Sequence, residues 1–260
     1  MRVLFIYPSI DCPPGTNHGL ACMSGVLKQA GHEVKLIHVC DQLWPIQTTD
    51  EILQVVRDYQ PGIIGFSAMS QQFDWCCDAA RAMRQEFKIP LCVGGVHCTM
   101  VPDEVVATNL FDYVCVGEGE YAFLELVNRL ERGADATTVP NMRLPRPESE
   151  GGPIINPVGA FPELDTLAPQ DYELFDLDHI ISTKQGWMSI ITSRGCPYKC
   201  TYCFNKEIVD LYKEDGGAKR TKEYLRHFPI DRILGELRWL KERCPQMNTL
   251  IFDDDLFTLN

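Results

Sequence analysis

The sequence has 260 residues, 45% hydrophobic and 23% charged, the make-up of a chain that buries a sizeable core, which excludes disordered, collagen-like and low-complexity architectures. Basic residues number 24 against 36 acidic, a net charge of −12, so the electrostatic footprint of a duplex-binding protein is missing and no nucleic-acid partner is expected. No apolar run approaches the roughly 18 residues of a membrane span, and residues 3–7 are too short a run for a signal peptide; the expected compartment is the cytoplasm.

The first half of the chain repeats a strand-then-helix rhythm. Val3, Leu4, Phe5, Ile6 and Tyr7 form an apolar run ended by Pro8, as for a strand buried on both faces of a parallel sheet. Leu20, Met23, Leu27 and Ala30 share a helical face stopped by Gly31, and residues 34–39 make the next strand. Ile52, Val55, Val56 and Tyr59 follow an expected Asp50 N-cap and end before Pro61. Residues 63–66 are the third strand, with a helix over 74–87. Residues 91–93 are the fourth, closed by Gly94 and Gly95, with a short helix from about Pro102. Residues 113–116 are the fifth, ahead of a helix carrying Phe123, Leu126, Val127 and Leu130. Five such βα units predict right-handed crossovers and an α/β fold, an open five-stranded doubly wound parallel sheet. Ligands of such sheets bind beyond the carboxyl ends of the strands, which here carry residues 9–19, 67–71, 94–99 and 117–120.

From Pro140 to about Gln185 the rhythm stops. Seven of the 17 prolines fall there, with Gly151 and Gly152, so residues 1–138 are expected as one domain and 139–186 as a Pro-rich connector. Leu164, Leu167, Leu174 and Phe175 suggest that the connector packs on a neighbour. A second unit is expected over 187–260. It comprises a strand at 188–192, a cysteine-rich loop at 193–205, an irregular stretch to Phe228, a helix opened by Pro229, and a strand at 249–252. Residues 213–226 form one modestly basic run, read as a solvated face.

Twelve cysteines in a reducing compartment do not suggest a disulfide framework. Nine are scattered and read as small buried hydrophobes. Cys196, Cys200 and Cys203 instead fall within eight residues, directly after a strand. Thiolates are soft ligands suited to zinc or to iron–sulfur clusters. Three are one short of a closed tetrahedral zinc site, which Cys244 or a histidine would have to complete. On a cubane the same three would leave one iron open to an outside ligand.

Ser193-Arg194-Gly195-Cys196-Pro197-Tyr198-Lys199-Cys200-Thr201-Tyr202-Cys203 resembles the C-x3-C-x2-C signature of radical S-adenosylmethionine enzymes. The resemblance implies that the three cysteines hold a [4Fe–4S] cluster whose open iron chelates S-adenosylmethionine, with Tyr202 beside it. Reductive cleavage then releases a 5′-deoxyadenosyl radical. The stretches around Pro162-Glu163-Leu164-Asp165 and Leu174-Phe175-Asp176 resemble that family's connector, and Arg226 with residues 229–237 its following helix. Ile251-Phe252-Asp253-Asp254 resembles the second strand of its barrel. That makes Asp253 and Asp254 candidates for the amino group of S-adenosylmethionine, against the alternative of an ordinary solvated strand end.

The N-terminal sheet resembles the cobalamin-binding domain that precedes one large radical S-adenosylmethionine subgroup. The matching residues are Gly65-Phe66-Ser67-Ala68-Met69, Val93-Gly94-Gly95-Val96-His97 and Asp112-Tyr113-Val114-Cys115-Val116-Gly117-Glu118-Gly119-Glu120. Gly94, Gly95, Gly117 and Gly119 would let backbone approach a bulky nucleotide tail, Ser67 can donate to it, and Glu118 belongs to the same strand end. One departure stands out. Where many cobalamin proteins carry D-x-H-x-x-G, Asp11 here is followed by Cys12 and Pro13, with Thr16 in place of the last glycine. That region supplies no lower imidazole; His18 and His97 remain as neighbours of the corrin or as plain loop histidines.

The expected architecture is thus a flavodoxin-like cobalamin-binding domain followed by the truncated start of a TIM-type radical S-adenosylmethionine barrel. The expected function is a cobalamin-dependent radical enzyme using a [4Fe–4S] cluster, S-adenosylmethionine and cobalamin, most often for methyl transfer to an unactivated carbon of a small-molecule substrate. An external flavodoxin- or ferredoxin-type electron donor, and either a further barrel segment or a partner subunit, would complete it. The competing readings are a non-catalytic cobalamin-binding module, an oxidoreductase or cyclase without methyl transfer, and a flavin- or nucleotide-binding doubly wound protein.

Overall fold

The computed structural model describes residues 1–259. Its first half alternates β1 (Arg2–Pro8), α1 (His18–Gln29), β2 (Glu33–Val39), α2 (Thr49–Tyr59), β3 (Ile63–Ser67), α3 (Phe73–Glu86) and β4 (Leu91–Gly94). Two short helices follow, α4 (Val96–Met100) and α5 (Pro102–Ala107), then β5 (Tyr113–Cys115) and α6 (Glu120–Glu131). These five strands run parallel in the order β2-β1-β3-β4-β5, the doubly wound arrangement with its switch point between β1 and β3.

The sheet has seven strands rather than five. Within the stretch expected as connector, β6 (Met142–Leu144) and β7 (Ile154–Ile155) add two antiparallel strands beyond β5. They are three and two residues long in a proline-rich segment, too short to leave a period-two pattern. The N-cap of α2 also differs from expectation. Thr48, not Asp50, caps it, in a reciprocal box with Glu51 that satisfies two otherwise unpaired donors.

Side chains alternate across the sheet as parallel strands require. Leu4, Ile6, Ile64, Phe66 and Val93 point to one face, and Val3, Phe5, Ile63 and Cys92 to the other; all are buried. The remaining elements cover both faces. They are α7 (Leu177–Thr183), β8 (Trp187–Ile190), β9 (Ser193–Arg194), α8 (Asn205–Glu214), β10 (Arg226–His227), α9 (Ile230–Arg243) and β11 (Thr249–Phe252). Val209 and Tyr212 of α8 join the first core, while Ile180, Met188, Ile190 and Leu240 join the second. Helix α8 occupies part of the stretch expected to be irregular.

β8 and β11 pair in parallel, and β9 and β10 pair antiparallel through Arg194–Arg226 and Ser193–His227. The cysteine-rich loop therefore opens and closes on a two-stranded clasp. Among the described residues no helix is long and apolar enough to cross a membrane.

Candidate functional site

Beyond the carboxyl ends of β3, β4 and β5 lies a cavity of about 480 Å³, where an open α/β sheet places its ligands. Ser67, Gly94, Gly95, Gly117, Glu118 and Gly119 line it from the sheet. Ile191, Arg194, Phe204, Ile208 and Tyr224 line it from the segments around the cysteine loop. Six of the strand-end residues singled out in the sequence thus share one wall, and the flanks of the cysteine loop form another.

The strand-end turns need their glycines for internal reasons as well. A Cβ on Gly95 would stand 2.6 Å from the Ala68 carbonyl oxygen. Gly117, at φ +78°, lies under the ring of Tyr212. The donors expected there for a ligand are partly spoken for: Gly117 N–H donates to Thr99 Oγ1 at 3.0 Å and Glu118 N–H to the Tyr212 hydroxyl at 2.8 Å. Ser67 Oγ accepts from Asn17 Nδ2 at 3.2 Å, which leaves its own hydroxyl hydrogen to donate. Thr16, at the altered position of the loop after β1, carries a buried hydroxyl with no partner among the described residues.

Glu118 is the electrostatic centre of the site. Its carboxylate accepts from Arg194 at 2.8 Å and from both terminal nitrogens of Arg226. Burial opposes its charge, yet the two guanidiniums outweigh that and hold its carboxyl below the ordinary range. Arg194 also donates to the buried Glu120 at 2.6 Å. Burial works against the Arg194 charge too, and Glu120 and Glu118 more than compensate. Arg226 closes the basic run read as a solvated face, but it is buried, donating to Pro162 O at 2.8 Å and stacked 4.6 Å from the Phe161 ring.

The cysteines occupy the loop between β9 and α8, Cys196 and Cys203 half-buried and Cys200 exposed. Cys203 N–H donates to the Cys200 carbonyl at 3.1 Å, closing a turn. Among the described residues no three His, Cys, Asp or Glu side chains stand in a metal-holding arrangement. The donor set nonetheless fits an iron–sulfur cluster: three free thiols within eight residues, none bonded to another sulfur. Cys244 is not with them. It is buried at the end of α9 among Met188 and Leu240, and burial raises its thiol pKa.

The two acidic residues after β11 separate. The Asp254 carboxylate accepts from Thr192 N–H at 3.0 Å and Thr192 Oγ1 at 2.9 Å, and also from Ser193 Oγ. It thereby ties the turn that enters the cysteine loop. Asp253 faces the imidazole of His18 at 3.8 Å, and its carboxyl is held below the ordinary range by His18 first and Ser189 second. His18 itself meets Gln170 at 3.1 Å.

His97 and Tyr202 stand apart from the cavity wall. His97 meets Ser70 at 3.0 Å and lies tilted against the Phe73 ring, centroids 4.2 Å apart, and burial lowers its pKa. Tyr202 is 91% exposed. The sequence reading missed Tyr212, Arg194 and Arg226 as partners of the Gly117–Glu120 turn. Their only signal was proximity to the cysteine motif, which says nothing about the sheet they reach.

Comparison with known proteins adds to this geometry. A family model described as "B12 binding domain" matches residues 13–127. An uncharacterized methyltransferase of Pyrococcus horikoshii is 26% identical over 271 residues, covering 100% of this chain and 54% of the relative. An anaerobic magnesium-protoporphyrin IX monomethyl ester cyclase of Rubrivivax gelatinosus is 26% identical over 78% of this chain and 38% of its own length. The chain spans about half the length, or less, of these relatives. Among solved structures, the cobalamin-dependent S-adenosylmethionine radical enzyme OxsB, with aqua-cobalamin and S-adenosylmethionine bound, superposes with a TM-score of 0.76 at 20% identity, over 98% of this chain and 34% of that one. The radical S-adenosylmethionine methyltransferase TsrM of Kitasatospora setae, with cobalamin and a [4Fe–4S] cluster bound, gives a TM-score of 0.70 at 16% identity, over 99% and 48%.

Proposed function

We propose that this chain carries the cofactor-binding part of a methyltransferase of the cobalamin-binding radical S-adenosylmethionine enzyme family. In this reading the glycine-lined strand ends at Ser67, Gly94, Gly95, Gly117 and Gly119 receive cobalamin. Cys196, Cys200 and Cys203 would hold a [4Fe–4S] cluster, and Asp253 would meet the amino group of S-adenosylmethionine. When bound, these groups supply one-electron cleavage of S-adenosylmethionine to a 5′-deoxyadenosyl radical and a cobalt-borne methyl group.

The chain's own residues position and enclose. Asp254 fixes the turn leading into the cysteine loop, and Arg194 fixes that loop against the sheet. Ile191, Phe204 and Ile208 give the intervening cavity apolar walls on the side of the cysteine loop. The observation that carries the reading is that one cavity is walled both by the glycine turns and by the flanks of the cysteine loop. The substrate is a small molecule, and the electrons come from an external low-potential donor.

Anaerobic reconstitution tests this. The chain should take up about four irons and retain hydroxocobalamin, and substitution of Cys196, Cys200 or Cys203 by Ala should abolish the iron while hydroxocobalamin still binds. Zinc in place of iron, or no retention of hydroxocobalamin, would sink it. A second reading, radical oxidation or cyclisation without methyl transfer, is favoured by the cyclase among the relatives. Methyl-labelled S-adenosylmethionine separates the two, since only methyl transfer moves the label to product.

A further inference from the structure

Three of the groups that hold Glu118 belong to the segment around the cysteine loop, beside a longer 3.5 Å bond to its carbonyl from Asn141. Arg194 lies two residues before Cys196, and Tyr212 nine residues after Cys203. Arg226 is cross-strand partner to Arg194 in the clasp that closes the loop. Arg194 and Arg226 take the Glu118 carboxylate, and the Tyr212 hydroxyl accepts its backbone N–H. On either side of it, Gly117 and Gly119 line the cavity.

None of these partners is free to follow a displaced Glu118 on its own. Arg226 is anchored to Pro162 and Phe161, Arg194 to Glu120, and Tyr212 is stacked on Phe161 at 3.7 Å. Buried, fork-shaped guanidinium–carboxylate bonds are directional, so a small shift of the turn either breaks them or drags the clasp along.

The geometry points to Glu118 as a positioning residue that couples the two ends of the cavity. A ligand seated on the Gly117–Gly119 turn sets the placement of Arg194 and hence of Cys196, and loading of the cysteine loop acts back on affinity at the turn. The inference rests on the functional reading above. A salt bridge that only held the fold together would support both ends equally in every state and link neither affinity to the other.

The readout is therefore a ratio of affinities, not activity. The Kd of hydroxocobalamin is measured anaerobically, by quenching of intrinsic fluorescence, in the chain with its cluster reconstituted and in the same chain with iron omitted. Linkage makes the effect reciprocal and typically about 5- to 150-fold, so the wild-type ratio should be about fivefold or more. In Glu118→Gln, iron and hydroxocobalamin should both still bind while the ratio falls to about one. Equal wild-type affinities, or a ratio that survives Glu118→Gln, overturn the coupling while leaving the functional reading intact. If Glu118→Gln does not fold, Tyr212→Phe, which removes only the hydroxyl that accepts the Glu118 N–H, is judged by the same fall in ratio. A wild-type chain that retains neither iron nor hydroxocobalamin overturns the functional reading itself, and the coupling with it.

Discussion

Gly117 has no side chain where Tyr212 arrives: a Cβ there would stand 2.6 Å from the phenolic oxygen. The residue sits at φ +78°, a conformation that L side chains rarely adopt. Gly117→Ala therefore combines backbone strain with a steric clash, and an unfolding cost of about 1–3 kcal/mol is expected. Urea unfolding measures it. A variant as stable as wild type would show that Tyr212 yields freely, contrary to its stacking on Phe161.

Asp254→Asn replaces an acceptor-only carboxylate that takes bonds from Thr192 N–H, Thr192 Oγ1 and Ser193 Oγ. All three bonds fall on Oδ1, which an amide oxygen could still supply, but Asn loses the charge and sets an amide NH2 where Oδ2 stands 3.2 Å from Thr192 N–H, so the turn into the cysteine loop loosens. The expected stability loss is about 1–3 kcal/mol, together with poorer iron retention and a hydroxocobalamin Kd no weaker than that of the iron-free wild-type chain. Parallel loss of both cofactors would place Asp254 in the global fold instead.

Acid sensitivity should centre on His38. Its ring is buried against Tyr7, meets Ser9 Oγ at 2.9 Å, and is pushed by burial from 6.5 down to about 4. Between those two values the unfolded chain takes up a proton that the folded chain refuses. The stability from neutral His38 is thus fully present above pH 6.5 and is lost as pH falls towards 4. Urea midpoints should fall through that window, and more shallowly in His38→Phe. By NMR, the His38 ring should remain neutral until close to pH 4.

A glycine with no structural duty should behave in the opposite way. Gly235 lies inside α9, and a Cβ there meets nothing within 4 Å. Gly235→Ala should raise stability by about 0.5–1 kcal/mol, through lower entropy in the unfolded chain. A destabilised variant would mean that this helix face is covered.

The parallel strands were legible because burial on both faces writes them as continuous apolar runs, such as Leu91, Cys92 and Val93. The edge pair β6 and β7 was not, since residues such as Arg143 and the 60%-exposed Ile155 sit beside prolines and follow no period. Helix α8 was passed over because its buried positions, Val209 and Tyr212, pack on a sheet some hundred residues away rather than declare an isolated apolar face. At the site, the residue types were readable from local motifs. The union of Glu118 with Arg194 and Arg226 was not, because charge pairing across 76 and 108 residues is created only when the layers stack.

The antiparallel pair at the sheet edge has a consequence of parity. β5 ends at the cavity rim, β6 runs away from the rim, and β7 returns to it. Because the added strands are two, the chain leaves the sheet from the same end it would have left after β5. An even number of strands could be gained or lost there without changing the end of the sheet from which the downstream segment starts, whereas a single added strand would start it from the opposite end.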